Sequence, residues 1–268
     1  MRSIEGVGVD DVAAAYGGNQ ADLYRLLFGE LLHVGGMAAS ADLAERGRVA
    51  AGMRGIDLCC GLGAAMRFLV RTRNVKSMIG VDVTPRNIDR GQERCRAEGL
   101  DGRVQLRLAD ATETDLPTAS ADFIWGEDAW CYVPDKAKLV AEAARLVRPG
   151  GTIAFTDWVE GPVPLEAAEA ERFLRMMRFA TLADIADYRR LLNACGCEAT
   201  ACEDTGRMPA HFDLYVEMID KQLGYDALAT VDYRPELLSV LTDNLRFIGA
   251  LAHAGKLIQA RFIAHRPA

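Results

Sequence analysis

The segment Ile56-Asp57-Leu58-Cys59-Cys60-Gly61-Leu62-Gly63 holds the residues whose types and order are best suited to chemistry: an apolar run, an acid within it, and a turn of small residues. Small residues let a backbone approach a ligand closely, and a helix expected from about Ala64 offers free N–H groups at its start. Such a loop by itself serves either a nucleotide-type cofactor or a tight turn. Asp82 closes the next apolar run in Gly80-Val81-Asp82-Val83-Thr84, 21 residues beyond Gly61. A carboxylate there can accept both hydroxyls of a ribose. Asp110-Ala111 follows the third run, placed to meet the edge of an adenine.

These residues need strand ends and helix starts to hold them. From residue 55 short apolar runs (55–58, 77–81, 104–108, 123–125, 152–155) alternate with helical stretches, the pattern of βαβ units around a parallel sheet. Leu139, Val140, Ala143, Leu146 and Val147 follow helical spacing, and that helix is expected to stop at Arg148-Pro149-Gly150-Gly151. The last third reads as helices around 165–177, 181–195, 209–223 and 234–253, with strand-like runs at 197–202 and 256–264. Near the N-terminus, Leu23, Leu27 and Leu31 form one stripe of a helix over 21–32, His33-Val34-Gly35-Gly36 marks a turn, and Ser40 is expected to cap a second helix. The organisation expected is an N-terminal helical cap over 1–50 and a main domain over 51–268. Helical insertions at 159–180 and 205–253, without an obvious core of their own, are expected to pack over one edge of the sheet as a lid.

This ordered set, with Pro149-Gly150-Gly151 before the fifth strand, resembles the class I S-adenosylmethionine-dependent methyltransferases over roughly residues 50–158. The resemblance implies an α/β, Rossmann-like fold with a seven-stranded, mostly parallel sheet and an antiparallel last strand. It implies S-adenosylmethionine as cofactor, bound by Asp57, Cys59, Gly61, Gly63, Asp82, Val83, Asp110, Ala111 and Glu127. Three details separate the chain from a dehydrogenase: Met66 replaces the third glycine of G-x-G-x-x-G, an acid precedes the loop by two residues, and the sheet ends in a β-hairpin. One departure from the methyltransferase pattern is Cys59, where the family usually has glycine, so the turn must accept a side chain; a packing role is favoured there over a reactive thiol.

A looser resemblance links the chain to the small-molecule branch that includes glycine, sarcosine and dimethylglycine N-methyltransferases. It is carried by Leu32-His33-Val34-Gly35, by Glu127-Asp128-Ala129-Trp130 with Pro134-Asp135-Lys136, and by Tyr188-Arg189-Arg190-Leu191-Leu192-Asn193-Ala194-Cys195-Gly196. Enzymes that methylate phosphoethanolamine, sterols, prenyl diphosphates and other natural products share these motifs.

In such a fold reacting groups sit beyond the C-terminal strand ends. Trp125, Trp130 and Trp158, with Tyr132, either wall an acceptor pocket whose π-faces suit a cation or pack the core. His33 and Asp128 are the candidates to orient an acceptor, His33 alternatively packing the turn. Arg178, with Arg175 and Arg189, could hold a carboxylate or phosphate. The activity expected is in-line methyl transfer without metal to a small-molecule amine nitrogen of sarcosine or dimethylglycine type. The alternatives are C- or O-methylation of a terpenoid, sterol or polyketide-like compound, and an inactive cofactor-binding protein, for which Cys59 is the only hint.

Composition narrows the partners. The 268 residues carry 31 basic and 38 acidic side chains, a net charge of −7 that disfavours a nucleic-acid partner. Seven cysteines without a C-x-x-C pair fit reduced thiols, and four scattered histidines assemble no metal cluster. No run of 18 apolar residues occurs and the N-terminus lacks the apolar block of a signal peptide, so a cytoplasmic monomer or homodimer without membrane insertion is expected.

Overall fold

The computed structural model describes residues 1–17 and 25–268. The central sheet contains β2 (Arg54–Leu58), β3 (Ser77–Asp82), β4 (Val104–Leu108), β5 (Ala121–Glu127), β6 (Val147–Glu160), β8 (Glu198–Asp204) and β9 (Leu257–His265), ordered 4-3-2-5-6-9-8. Strands β2 to β6 are parallel, whereas β9 runs antiparallel between β6 and β8. This is the seven-stranded, Rossmann-like sheet expected. Central strands are covered on both faces, and β5 and β6 are buried without a break over 123–126 and 151–159. Gly55 is required where β2 meets β5, since a Cβ there would lie 2.3 Å from Phe123 Cζ.

The described α-helices are α1 (Val9–Gly17), α2 (Gly36–Arg46), α3 (Ala64–Thr72), α4 (Pro85–Ala97), α5 (Lys136–Leu146), α6 (Ala167–Met177), α7 (Ile185–Ala194), α8 (Met208–Lys221), α9 (Gly224–Thr230) and α10 (Pro235–His253). Helix α3 buries Met66, Leu69 and Val70 on one face. Met66, at the position of the missing third glycine, sends its Cε toward Gly80, where a Cβ would approach it to 2.5 Å. The absent glycine in the helix is thus matched by a glycine in the strand.

Several expectations change on contact with the fold. Residues 21–24 of the helix expected over 21–32, with Leu23, lie outside the described residues; of the rest, 25–28 are helical and 29–32 are not. Ser40 is not a cap, because α2 begins five residues earlier than expected of a serine-capped helix, with Gly35 at its N-cap and Ser40 buried inside. Helix α2 packs Leu43 and Ala44 against the sheet residues Ala154 and Ile263, which puts it in the layer that flanks the sheet. Strand β6 starts at Val147, whose partner is Ala121, so the Pro-Gly-Gly stretch lies in the strand. The helix expected from 181 starts at Ile185, because Thr181–Leu182 form β7 and pair with β1 (Arg2–Ser3). The helical segments also have a core after all: Trp158, Phe173, Phe179, Phe212, Leu245 and Leu257 belong to one buried cluster.

Candidate active site

The loop after β2 turns through three residues with positive φ, Cys59 at 67°, Gly61 at 54° and Gly63 at 70°. Cys59 therefore occupies a left-handed conformation that favours glycine. Its neighbours hold it there. The Cys60 N–H donates to Val81 O at 2.9 Å, and the Gly61 N–H donates to Asp82 Oδ2 at 2.9 Å. A Cβ at Gly61 would meet nothing within 4 Å, so the backbone there faces open space. Gly63 sits behind the loop as the N-cap of α3 and does not line the cavity, a correction to its expected contact.

That open space is a cavity of about 360 Å³ over the C-terminal ends of β2 to β5. Asp57, Cys59, Gly61, Asp82, Val83, Asp110, Ala111 and Glu127 all line it, together with Thr84 and Asn87, which the sequence did not single out. Asp82 is held from the protein side: its Oδ1 accepts the Thr84 N–H at 2.9 Å and the Asn87 side-chain amide at 3.4 Å, and its Oδ2, bonded to the Gly61 N–H, keeps a further lone pair. Burial raises its carboxyl, while bonds from Thr84, Gly61 and Asn87 pull it back. Asp57 is raised further by burial and by the neighbouring Glu127 and Asp82 carboxylates. Among the described residues the only basic side chains on the lining are His33 and the exposed Lys138. The carboxyls of Asp57, Asp82, Asp110 and Glu127 face one space and outnumber its single lysine, which suits a ligand that is itself cationic.

Glu127, at the end of β5, ties the cavity to the N-terminal turn. Ser40 donates its hydroxyl to Glu127 Oε1 at 2.8 Å, and His33 Nε2 lies 3.0 Å from Ser40 Oγ and 3.3 Å from Glu127 Oε1. Since the Ser40 proton is spent on Glu127, a bond between Nε2 and Ser40 takes its proton from the imidazole, while Nδ1 lies 3.4 Å from the Val34 carbonyl oxygen. Asp128 follows at φ 50° and is buried. Its carboxylate accepts the Val34 N–H at 2.8 Å and the Gln259 side-chain amide at 2.9 and 2.8 Å, and the same amide donates to Val34 O at 3.0 Å. Asp128 thus grips the turn that carries His33. Gln259 escaped the sequence reading, although a lone amide in the run Leu257–Ala264 was a visible signal.

His33, Asp128, Leu32 and Tyr132 also border a second, smaller cavity of about 50 Å³, walled by Phe28, Trp158, Met176, Met177, Phe212 and residues of α10. Of the three tryptophans only Trp158 reaches it. Trp125 lies fully buried in the sheet core, with its Nε1–H donated to Glu127 Oε2 at 3.1 Å. Trp130 stacks on Phe155 with centroids 3.9 Å apart and is fully buried. Both are core residues because β5 and the turn after it point their side chains into the sheet layers. Arg178 caps α6 in a left-handed conformation and is exposed, Arg175 pairs with Glu171 at 3.1 Å, and Arg189 donates to Cys202 O. None of the three reaches either cavity. Among the described residues no group of three potential metal ligands occurs, and no helix is long and apolar enough to cross a membrane.

Residues 56–155 match a family model described as a methyltransferase domain. The chain is 32% identical over 203 residues to 27-O-demethylrifamycin SV methyltransferase of Amycolatopsis mediterranei (strain S699), covering 70% of this chain and 74% of that one. It is 30% identical over 175 residues to dimethylglycine N-methyltransferase of Parasynechococcus marenigrum (strain WH8102), covering 59% and 61%. The fold matches Haemonchus contortus phosphoethanolamine N-methyltransferase 2 in complex with S-adenosyl-L-methionine, with a TM-score of 0.88 at 19% identity over 98% of this chain and 61% of that one. The carboxylate-lined cavity over the strand ends fits that cationic cofactor, and the chain belongs to the S-adenosylmethionine-dependent methyltransferases that act on small molecules.

Proposed function

We propose that the enzyme methylates an oxygen of a predominantly apolar small molecule. The observation that carries this reading is the lining of the smaller cavity: mostly aromatic and aliphatic side chains, with His33, Asp128 and Asn244 among its few polar groups, and no arginine or lysine among the described residues. An amino-acid-type amine, the acceptor first expected, brings a carboxylate that would find no cationic partner there. The similarity to an enzyme named 27-O-demethylrifamycin SV methyltransferase points the same way.

In this reading Asp82 accepts the ribose hydroxyls of the cofactor, Asp110 and Ala111 meet the adenine edge, and Asp57 and Glu127 face its positive charge. The bound cofactor supplies a methyl group on a cationic sulfur with a neutral leaving group. His33 takes the hydroxyl proton of the acceptor, which requires its Nδ1 to leave Val34 O while Ser40 and Glu127 hold Nε2, and Glu127 stabilises the imidazolium that results. Asp128 and Gln259 fix the turn so that the imidazole stands between the two cavities. Leu32, Phe28 and Trp158 exclude water from the acceptor. Residues 27–34 and helices α6, α8 and α10 act as the lid over it.

Labelled S-adenosylmethionine, offered with phenols, macrocyclic and terpenoid alcohols, amines and amino acids, tests this directly. Label should appear on hydroxyl compounds and not on sarcosine or dimethylglycine. Transfer to the amino acids alone would overturn it.

A further inference from the structure

Trp158 is nine-tenths buried, lines the smaller cavity, and its Nε1–H is sealed from solvent without a hydrogen-bond partner. A buried unpaired donor is unfavourable and uncommon in native proteins, and it calls for an explanation. The indole is not loosely placed. Phe212 packs edge-on at 5.5 Å, Phe179 edge-on at 6.2 Å and Phe173 parallel at 6.4 Å, which fixes the direction of the N–H. The unpaired Nε1 of Trp130 differs, because it packs against Gly126 inside the sheet layer and borders no cavity. Asn244, half-buried on α10, lines the same cavity as Trp158, and its carboxamide makes no hydrogen bond within the described chain. The other polar side chains on that lining are His33, engaged by Ser40 and Val34, Asp128, engaged by Gln259 and Val34, and Tyr132, which packs edge-on against Phe179 and is not without a partner.

We infer that Trp158 and Asn244 form a subsite for a second oxygen of the acceptor, a carbonyl or ether oxygen carried on the apolar body away from the hydroxyl that is methylated. This rests on the reading of the smaller cavity as the acceptor site. The indole N–H donates to that oxygen, and the amide of Asn244 gives it a second donor. A purely hydrocarbon body would fill the cavity and leave the indole N–H unsatisfied, so the enzyme selects for an oxygenated acceptor rather than merely an apolar one. The cavity of about 50 Å³ is narrow, and the flexible side chains of Met176 and Met177 on its wall let it widen around a ring.

The test compares two series that differ in a single carbonyl: the three hydroxyacetophenones and the three ethylphenols. Each is titrated calorimetrically into the enzyme saturated with S-adenosylhomocysteine. At least one hydroxyacetophenone should bind tenfold or more tightly than the matching ethylphenol. Trp158→Phe, which keeps a ring and deletes the donor, and Asn244→Leu should each shrink that preference below threefold in protein whose thermal unfolding stays cooperative. Equal binding of the two series by the unaltered enzyme overturns the inference, as does a preference that survives both substitutions. Methylation of ethylphenols without any preference would leave the oxygen-methylation reading intact while removing this subsite. Failure of every probe to bind would remove both.

Discussion

Gln259 and Asp128 face each other across the top of the sheet, the amide of one within 2.9 and 2.8 Å of both carboxylate oxygens of the other, and neither reaches bulk solvent. Asp128 had the credentials of an acid or base, but its lone pairs are committed to Gln259 and to Val34. Gln259→Leu should leave a buried carboxylate short of a donor and cost about 2–4 kcal/mol of stability. Urea unfolding measures that loss. Because the turn carries His33, the same variant should lose kcat more than cofactor affinity; a fall in affinity alone would contradict this.

Asp82 joins the loop to the cavity through Gly61. Asp82→Ala should weaken S-adenosylmethionine binding by about 1.5–3 kcal/mol, read by calorimetric titration. An unchanged dissociation constant in folded protein would take Asp82 out of the site.

His33→Gln should lower kcat by about 10²–10⁴-fold with cofactor affinity nearly retained. Ser40→Ala, which removes only the bridge to Glu127, should fall between the variant and the parent enzyme. Equal rates for all three would show that the acceptor loses its proton elsewhere.

Asp157, beneath the turn at Cys131, is fully buried, accepting the Tyr188 hydroxyl at 2.6 Å and the Cys131 N–H at 2.9 Å. Burial outweighs the attraction of Lys136 and these bonds, and raises its carboxyl from 3.8 to about 6. Between roughly pH 4 and 6 the folded protein keeps a proton that the unfolded chain has released, so stability from this group is full below that window and declines as pH rises through it. The decline amounts to roughly 3 kcal/mol. Asp157→Asn lacks it, and denaturant unfolding at several pH values should show the stability of the parent falling relative to the variant. Parallel curves would refute the assignment.

Trp130→Ala should cost about 3–5 kcal/mol of stability, as expected of a large aromatic lost from a core, and this is measurable by thermal unfolding. A stable variant with altered acceptor kinetics would return Trp130 to the pocket.

The cofactor end of the site was legible because its residues sit at strand ends, where the switch from apolar run to acid or glycine is a local signal: Asp57, Gly61, Asp82 and Asp110 all follow that rule. The acceptor end depends on which face a side chain takes after the strand stops, and Trp125, Trp130 and Trp158 look alike in sequence while only the last reaches a cavity. Arg178 carried the same ambiguity on an amphipathic helix and turned outward. The pairing of Arg2–Ser3 with Thr181–Leu182 is too short to leave any period. The core under the insertion is shared among segments far apart in the chain, so no single helix announces it.

The strand that supplies Gln259 follows every other strand of the sheet in the chain, yet it lies between β6 and β8 and bonds partners 131 and 225 residues earlier, Asp128 and Val34. Until it arrives β8 has no neighbour in the sheet and Asp128 has lost its main donor. The parallel half, β2 to β5, can pair beforehand from contacts closer in sequence. Assembly of this enzyme is therefore ordered by its own topology: a nascent chain can shape the cofactor end early, but competence toward an acceptor is conferred by its closing strand.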